Sequence, residues 1–136
     1  VRSSLVEKMT GSLGFPRELI VIEKGLAKLP HLMDRDGLPN RRLDILCYGR
    51  DIHPDHVLYP LLIIECKATP LDFQAARQVI GYNHYVSAYF IGIANCDRVM
   101  IGWKDKKSAG YHFQEGLMSY GDLLEQLLKD SPWKRS

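Results

Sequence analysis

Apolar positions recur along the chain with two different periods. Leu5, Val6, Met9 and Leu13 fall at helical spacing, with Ser3, Glu7, Lys8 and Thr10 on the other faces, which predicts an amphipathic helix over 1–13. Gly11, Gly14 and Pro16 end it. Leu19 to Glu23 (LIVIE) is rich in branched residues and predicts a short strand. Pro, Gly, Asp and Lys then mark Gly25 to Asn40 as a loop. Arg41 to Tyr48 (RRLDILCY) reads as a second strand and Gly49 to Pro60 as a long loop. Leu61 to Ala68 (LLIIECKA) is apolar on both faces up to Glu65, the pattern of a buried central strand.

Thr69 and Pro70 announce a helix from Pro70 to Val86, with Thr69 as N-cap, Pro70 at the first helical position and Asp72 as the acidic member of a capping box. Tyr89 to Ala94 and Val99 to Trp103 are expected as strands around Asn95-Cys96-Asp97. A basic turn over 103–110 and an edge strand at Tyr111 to Phe113 follow. Ser119 then caps a helix whose Leu123, Leu124, Leu127 and Leu128 form one stripe. Helix, strands, helix, strands, helix predicts an α/β fold, a mixed sheet flanked by helices. With 136 residues, 46% of them apolar, the expectation is one domain over 1–136.

Charge changes this picture little. The balance of 18 basic against 16 acidic residues gives +2, so any contact with nucleic acid depends on a local patch. Arg41, Arg42, Arg77, Lys104, Lys106 and Lys107 are the candidates for a rim that meets phosphates. The apolar run Tyr59 to Ile64 is far short of the ~18 residues of a membrane span, so no membrane association is expected. Cys47, Cys66 and Cys96 form no CxxC pair and read as reduced thiols, which sets the expectation of a cytoplasmic protein. His53 and His56 lie three apart in a loop without further nearby ligands, more a polar loop than a zinc site. No phosphate-binding G-x-x-x-x-G-K-[ST] loop is present, which excludes an ATP-driven motor within this chain.

Candidate chemistry comes from charges inside the two apolar strands. Asp44 interrupts Leu43, Ile45 and Leu46, and Glu65 and Lys67 interrupt the end of LLIIECKA. An ion on a buried strand costs several kcal/mol unless something neutralises it. Alternation puts Glu65 and Lys67 on one face, about 6.6 to 7 Å apart. If the Asp44 strand lies alongside, two carboxylates and an ammonium converge at one end of the sheet. Two carboxylates about 4 Å apart repel by roughly 4 kcal/mol at an effective dielectric near 20, and a divalent cation removes that penalty. The plain alternative is an ion pair of Lys67 with Glu65 or Asp44. On the following helix Gln74, Gln78 and Tyr82 recur every four residues and share a face that can approach the charged group. Alternatively Gln78 and Tyr82 lie on a solvated flank while Phe73, Ala76 and Ile80 face the core.

The string of an acidic residue on the first helix, RRLDIL, LLIIECKA and QAARQVIGYN resembles the PD-(D/E)xK nuclease superfamily. Within it, the residues most resemble the N-terminal nuclease domain of type I restriction endonuclease R subunits, over Val1 to Lys104. The resemblance implies a restriction-endonuclease-like sheet and a Mg²⁺-dependent DNA endonuclease, with Mn²⁺ as a substitute. By it, Asp44, Glu65 and the backbone carbonyl of Cys66 hold the metal, with Glu7 as a further acid. Lys67 is the catalytic lysine, and Gln78 and Tyr82 are its Q-x-x-x-Y companions. It also implies contact with DNA through the phosphate backbone, and separate motor and specificity subunits. Leu43 stands where the superfamily name expects proline, and the Gly49 to Pro60 loop is long for its hairpin. A second implication is a nuclease fold that binds or regulates with little turnover and needs a partner.

Overall fold

The computed structural model describes residues 2–104 and 110–130. Its centre is a six-stranded sheet whose spatial order follows the chain: β1 (Ile20–Gly25), β2 (Arg42–His53), β3 (His56–Cys66), β4 (Phe90–Ala94), β5 (Val99–Lys104) and β6 (Tyr111–Glu115). Every neighbouring pair is antiparallel except β3 and β4, which are parallel. A parallel pair requires a crossover, and α2 (Phe73–Val86) supplies it, packed on β3 and β4. The segment that follows α1 (Arg2–Gly11) meets the start of α3 (Tyr120–Asp130): the Tyr120 N–H donates to the Leu13 carbonyl at 3.0 Å, and the Phe15 and Tyr120 rings pack edge to face. The mixed α/β fold expected from the pattern is the fold found.

Leu61, Leu62, Ile63 and Ile64 of β3 are completely buried, as a central strand with both faces covered requires. The predicted loop over Gly49 to Pro60 is instead continuous sheet: β2 and β3 form a long hairpin whose turn is only Pro54-Asp55. Gly and Pro concealed it. Pro60 pairs with Tyr48 where the register shifts, and a second irregularity lies between Arg50 and His53, where Asp51 takes a φ of 57°. Bulges of this kind tolerate a missing N–H and a left-handed residue that a regular ladder does not. The stretch from Gly25 to Asn40 also carries more than a loop, because two short 3-10 turns set Leu26, Leu29 and Leu32 into the core.

Helix α2 begins later than its sequence signature. Asp72, not Thr69, is the N-cap, accepting from the Ala75 N–H at 3.0 Å, and Pro70 lies outside the helix. Its buried face is Ala75, Val79, Asn83 and Val86, whereas Phe73 is 86% exposed and does not face the core. Ser119 behaves as expected, its hydroxyl accepting from the Asp122 N–H at 3.1 Å. Replacing Asp72 by Ala is expected to lower stability by about 1 kcal/mol in urea unfolding. Thr69→Ala, at an exposed position, should stay within about 0.5 kcal/mol.

At the hairpin tip His53 and His56 do not stand alone in a loop. Together with His31 they surround Tyr59, with His53 stacked on its ring at a centroid distance of 4.2 Å. His31 Nε2 lies 2.7 Å from the Val86 carbonyl, so that nitrogen carries the proton and Nδ1, buried without a partner among the described residues, is a bare lone pair. Burial, then the nearby His56 and His53, hold the His31 pKa below the usual histidine value, with the Val86 carbonyl acting the other way. The unfolded chain therefore takes up this proton near pH 6.5, before the folded protein does, and stability falls as pH drops below that value. Melting temperatures at pH 7.5 and 5.5 check this: His31→Gln, which keeps a donor for Val86, should fall less than the wild type.

Candidate active site

Register brings the separated charges together. Ile45 pairs with Ile64, Leu46 with Ile63 and Cys47 with Leu62, and the same register carried one residue further sets Asp44 opposite Glu65. Residues directly opposite in an antiparallel pair project from the same face. The two strands are tied at that point by the Asp44 carboxylate, whose Oδ2 accepts from the Cys66 N–H at 2.8 Å.

Glu65 is only 7% exposed, and its Oε1 is buried with no hydrogen-bond partner among the described residues. Its carboxyl is pushed up to about 7, first by burial and then by the neighbouring Asp44 charge, against the opposing pull of the Asp44 backbone and Lys67. Two acids that cannot both ionise cheaply share either a proton or a cation. Burial, followed by the same two carboxylates, also pushes the Cys66 thiol up to about 11, while Arg2 of α1 pulls it down.

Beyond β3 the backbone of Lys67 stays tied to the sheet, its N–H donating to the Ala94 carbonyl at 2.7 Å. Its ammonium donates to Gln78 Oε1. Lys67 thus pairs with the amide of α2 rather than closing an ion pair with Glu65 or Asp44. Parallel β3 and β4 oblige α2 to run back between them, so its first turns stand at the end of the sheet that carries Cys66 and Ala94. That return brings Gln78 to Lys67; Tyr82, one turn on, is half-buried against the core.

The structure gathers Asp44, Glu65, Cys66, Lys67 and Gln78. Glu7 is not joined to them: it is exposed on α1, and no hydrogen bond or ion pair links its side chain to the group among the described residues. Arg2, which sequence reading missed, is the α1 residue whose charge reaches Cys66, and it pairs with Glu23 at 3.0 Å. Asn95 was missed too. Its side chain accepts from the Asp97 and Arg98 N–H groups and donates to the Thr69 carbonyl at 3.2 Å, fixing the connection that leads into α2. The expected basic rim is divided. Arg41 and Arg42, just before Asp44, and Arg77, beside Gln78 on α2, are exposed, whereas antiparallel pairing of β5 with β4 carries Lys104 to the opposite end of the sheet. Lys106 and Lys107 lie outside the described residues.

Residues 1–117 match the family described as type I restriction enzyme R protein N terminus. The chain belongs to this family. The type I restriction R-protein N-terminal match takes in β1 to β6 and every residue of the cluster above, and gives the chain a restriction-enzyme-like role. Searches of curated proteins and of solved structures found no match. No helix among the described residues of this R-protein domain is long and apolar enough to cross a membrane.

Proposed function

We propose that this domain is a Mg²⁺-dependent DNA endonuclease of the PD-(D/E)xK kind, acting within a restriction system. The observation that carries the reading is the Glu65 carboxyl, buried with one oxygen unpartnered and set opposite Asp44, beside a lysine held by Gln78.

The donors fit a hard divalent ion. Asp44, Glu65 and the Cys66 carbonyl are all oxygen ligands of the type Mg²⁺ takes, with Mn²⁺ as its substitute. When bound, the ion supplies Lewis-acid polarisation of the scissile phosphate and a lower pKa for the attacking water. The residues of the chain do the rest. Lys67 places a positive charge where the phosphate oxygens gain negative charge as the bond to the leaving group breaks. Gln78 holds that ammonium in position, and Tyr82 offers a hydroxyl from the same helix face. Exposed Arg42 and Arg77 meet the backbone of the DNA, contacts that carry no base sequence. Sequence choice and translocation therefore belong to motor and specificity subunits outside this domain.

Nicking of supercoiled plasmid in Mg²⁺, with EDTA as control, tests the reading. Mg²⁺-dependent nicks that disappear in Glu65→Ala and Lys67→Ala support it. Cutting that survives both substitutions removes this cluster from the mechanism, and DNA that is bound but never cut replaces the enzyme by a binding module.

A further inference from the structure

Phe73 is the most exposed of the large apolar side chains described, at 86%, yet it does not sit on a mobile tail. It is the first residue of α2, directly after the Asp72 cap, and the connection before it is pinned by the Asn95 amide on the Thr69 carbonyl. An aromatic ring on a pinned stretch of backbone is thus turned to water at the end of the sheet that carries Asp44 and Glu65. Arg77 follows four residues later, so the two share one helical face with Cβ atoms about 5–6 Å apart. Arg77 is exposed, and its guanidinium makes no hydrogen bond or ion pair among the described residues. The nearest acid on the helix, Asp72, already accepts from the Ala75 N–H. This face is distinct from the Gln74, Gln78 and Tyr82 face that leads to Lys67.

We propose that Phe73 and Arg77 form a substrate-positioning surface that receives one unpaired DNA base and the phosphate beside it. The proposal rests on the DNA-hydrolysing reading and names the form of substrate the site takes: DNA locally opened, rather than an intact duplex. An aromatic ring beside an unpaired cation is the pairing by which proteins hold single strands, the ring stacking on a base face and the cation meeting the backbone. In a closed duplex the base faces are covered by their neighbours, so Arg77 would find a phosphate but Phe73 nothing to stack on. The arrangement is sequence-tolerant because every base has such a face.

Binding of a fluorescent single-stranded oligonucleotide, its duplex form and an abasic strand of equal length, all in EDTA so that no cutting occurs, tests this by anisotropy. Phe73→Ala should weaken the single strand about tenfold or more while leaving the duplex within about twofold, and Phe73→Trp should retain binding. The abasic strand should bind wild type and Phe73→Ala alike. Arg77→Ala should weaken both forms and reduce the salt dependence by about one phosphate contact. Equal loss on both forms in Phe73→Ala, wild-type binding of the abasic strand as tight as of the normal one, or no single-strand binding overturns the proposal. Its failure is separable from that of the hydrolase reading. Base-dependent binding without plasmid cutting sinks only the hydrolysis, and cutting with single-strand binding untouched by Phe73→Ala sinks only this surface.

Discussion

Glu65→Gln is expected to stabilise the metal-free protein at pH 8 and, on the proposed function, to abolish plasmid nicking in Mg²⁺. Burial and the adjacent Asp44 push the Glu65 carboxyl from 4.5 up to about 7 in the folded protein. Between those values the folded state keeps a proton that the unfolded chain has released. Stability from this residue is thus intact below pH 4.5, declines as pH rises, and is lost once pH passes about 7. A shift of that size corresponds to on the order of 3 kcal/mol, and glutamine, which does not ionise, escapes the loss. Urea unfolding in EDTA checks it: the advantage of Glu65→Gln should be small at pH 5 and reach that order at pH 8. An unchanged or less stable variant at pH 8 would show that the buried carboxylate is already well accommodated. Adding Mg²⁺ should narrow the gap, since an ion that binds only the folded wild type stabilises it by mass action.

Lys67→Ala should cost two or more orders of magnitude in the rate of plasmid nicking, the scale of removing one preorganised group from a developing oxyanion. Gln78→Ala should cost about tenfold, because the ammonium remains but loses the amide that fixes it. Lys67 is only partly buried and Gln78 is exposed, so both variants should unfold within about 1 kcal/mol of the wild type. Single-turnover rates at saturating enzyme separate the two effects from weakened DNA binding. Equal losses in the two variants would mean that Gln78 does more than position the lysine. Full activity in Lys67→Ala would mean that the metal and the two acids suffice.

Much of the candidate site was legible before any coordinates. A charged residue within a run such as Leu61 to Ile64 is costly wherever the strand goes, so Asp44 and Glu65 signal themselves by location alone. The four-residue spacing of Gln78 and Tyr82 likewise follows from helix geometry. The helix start was misread because Thr69-Pro70 has the composition of a cap, whereas the hydrogen bond that forms is the one from the Ala75 N–H to Asp72. The long hairpin was misread for a related reason. Gly49, Pro54 and Pro60 punctuate a loop in most contexts, and only pairing with the partner strand shows which of them fall at bulges.

His31 and Arg2 illustrate what no local pattern contains. Neither stands in a motif, and each gained its place from a chain segment tens of residues away: His31 from Tyr59 and Val86, Arg2 from Glu23 and Cys66. The sequence by itself determined the order of helices and strands, apart from the hairpin over 49–60 and the short turns within 25–40, and which charges are costly to bury, because periodicity and desolvation act residue by residue. Register, crossover direction and the face each side chain shares were decided only by tertiary structure, since they depend on pairing between distant segments. The meeting of Asp44 with Glu65, the approach of Gln78 to Lys67 and the outward turn of Phe73 all belong to that second kind.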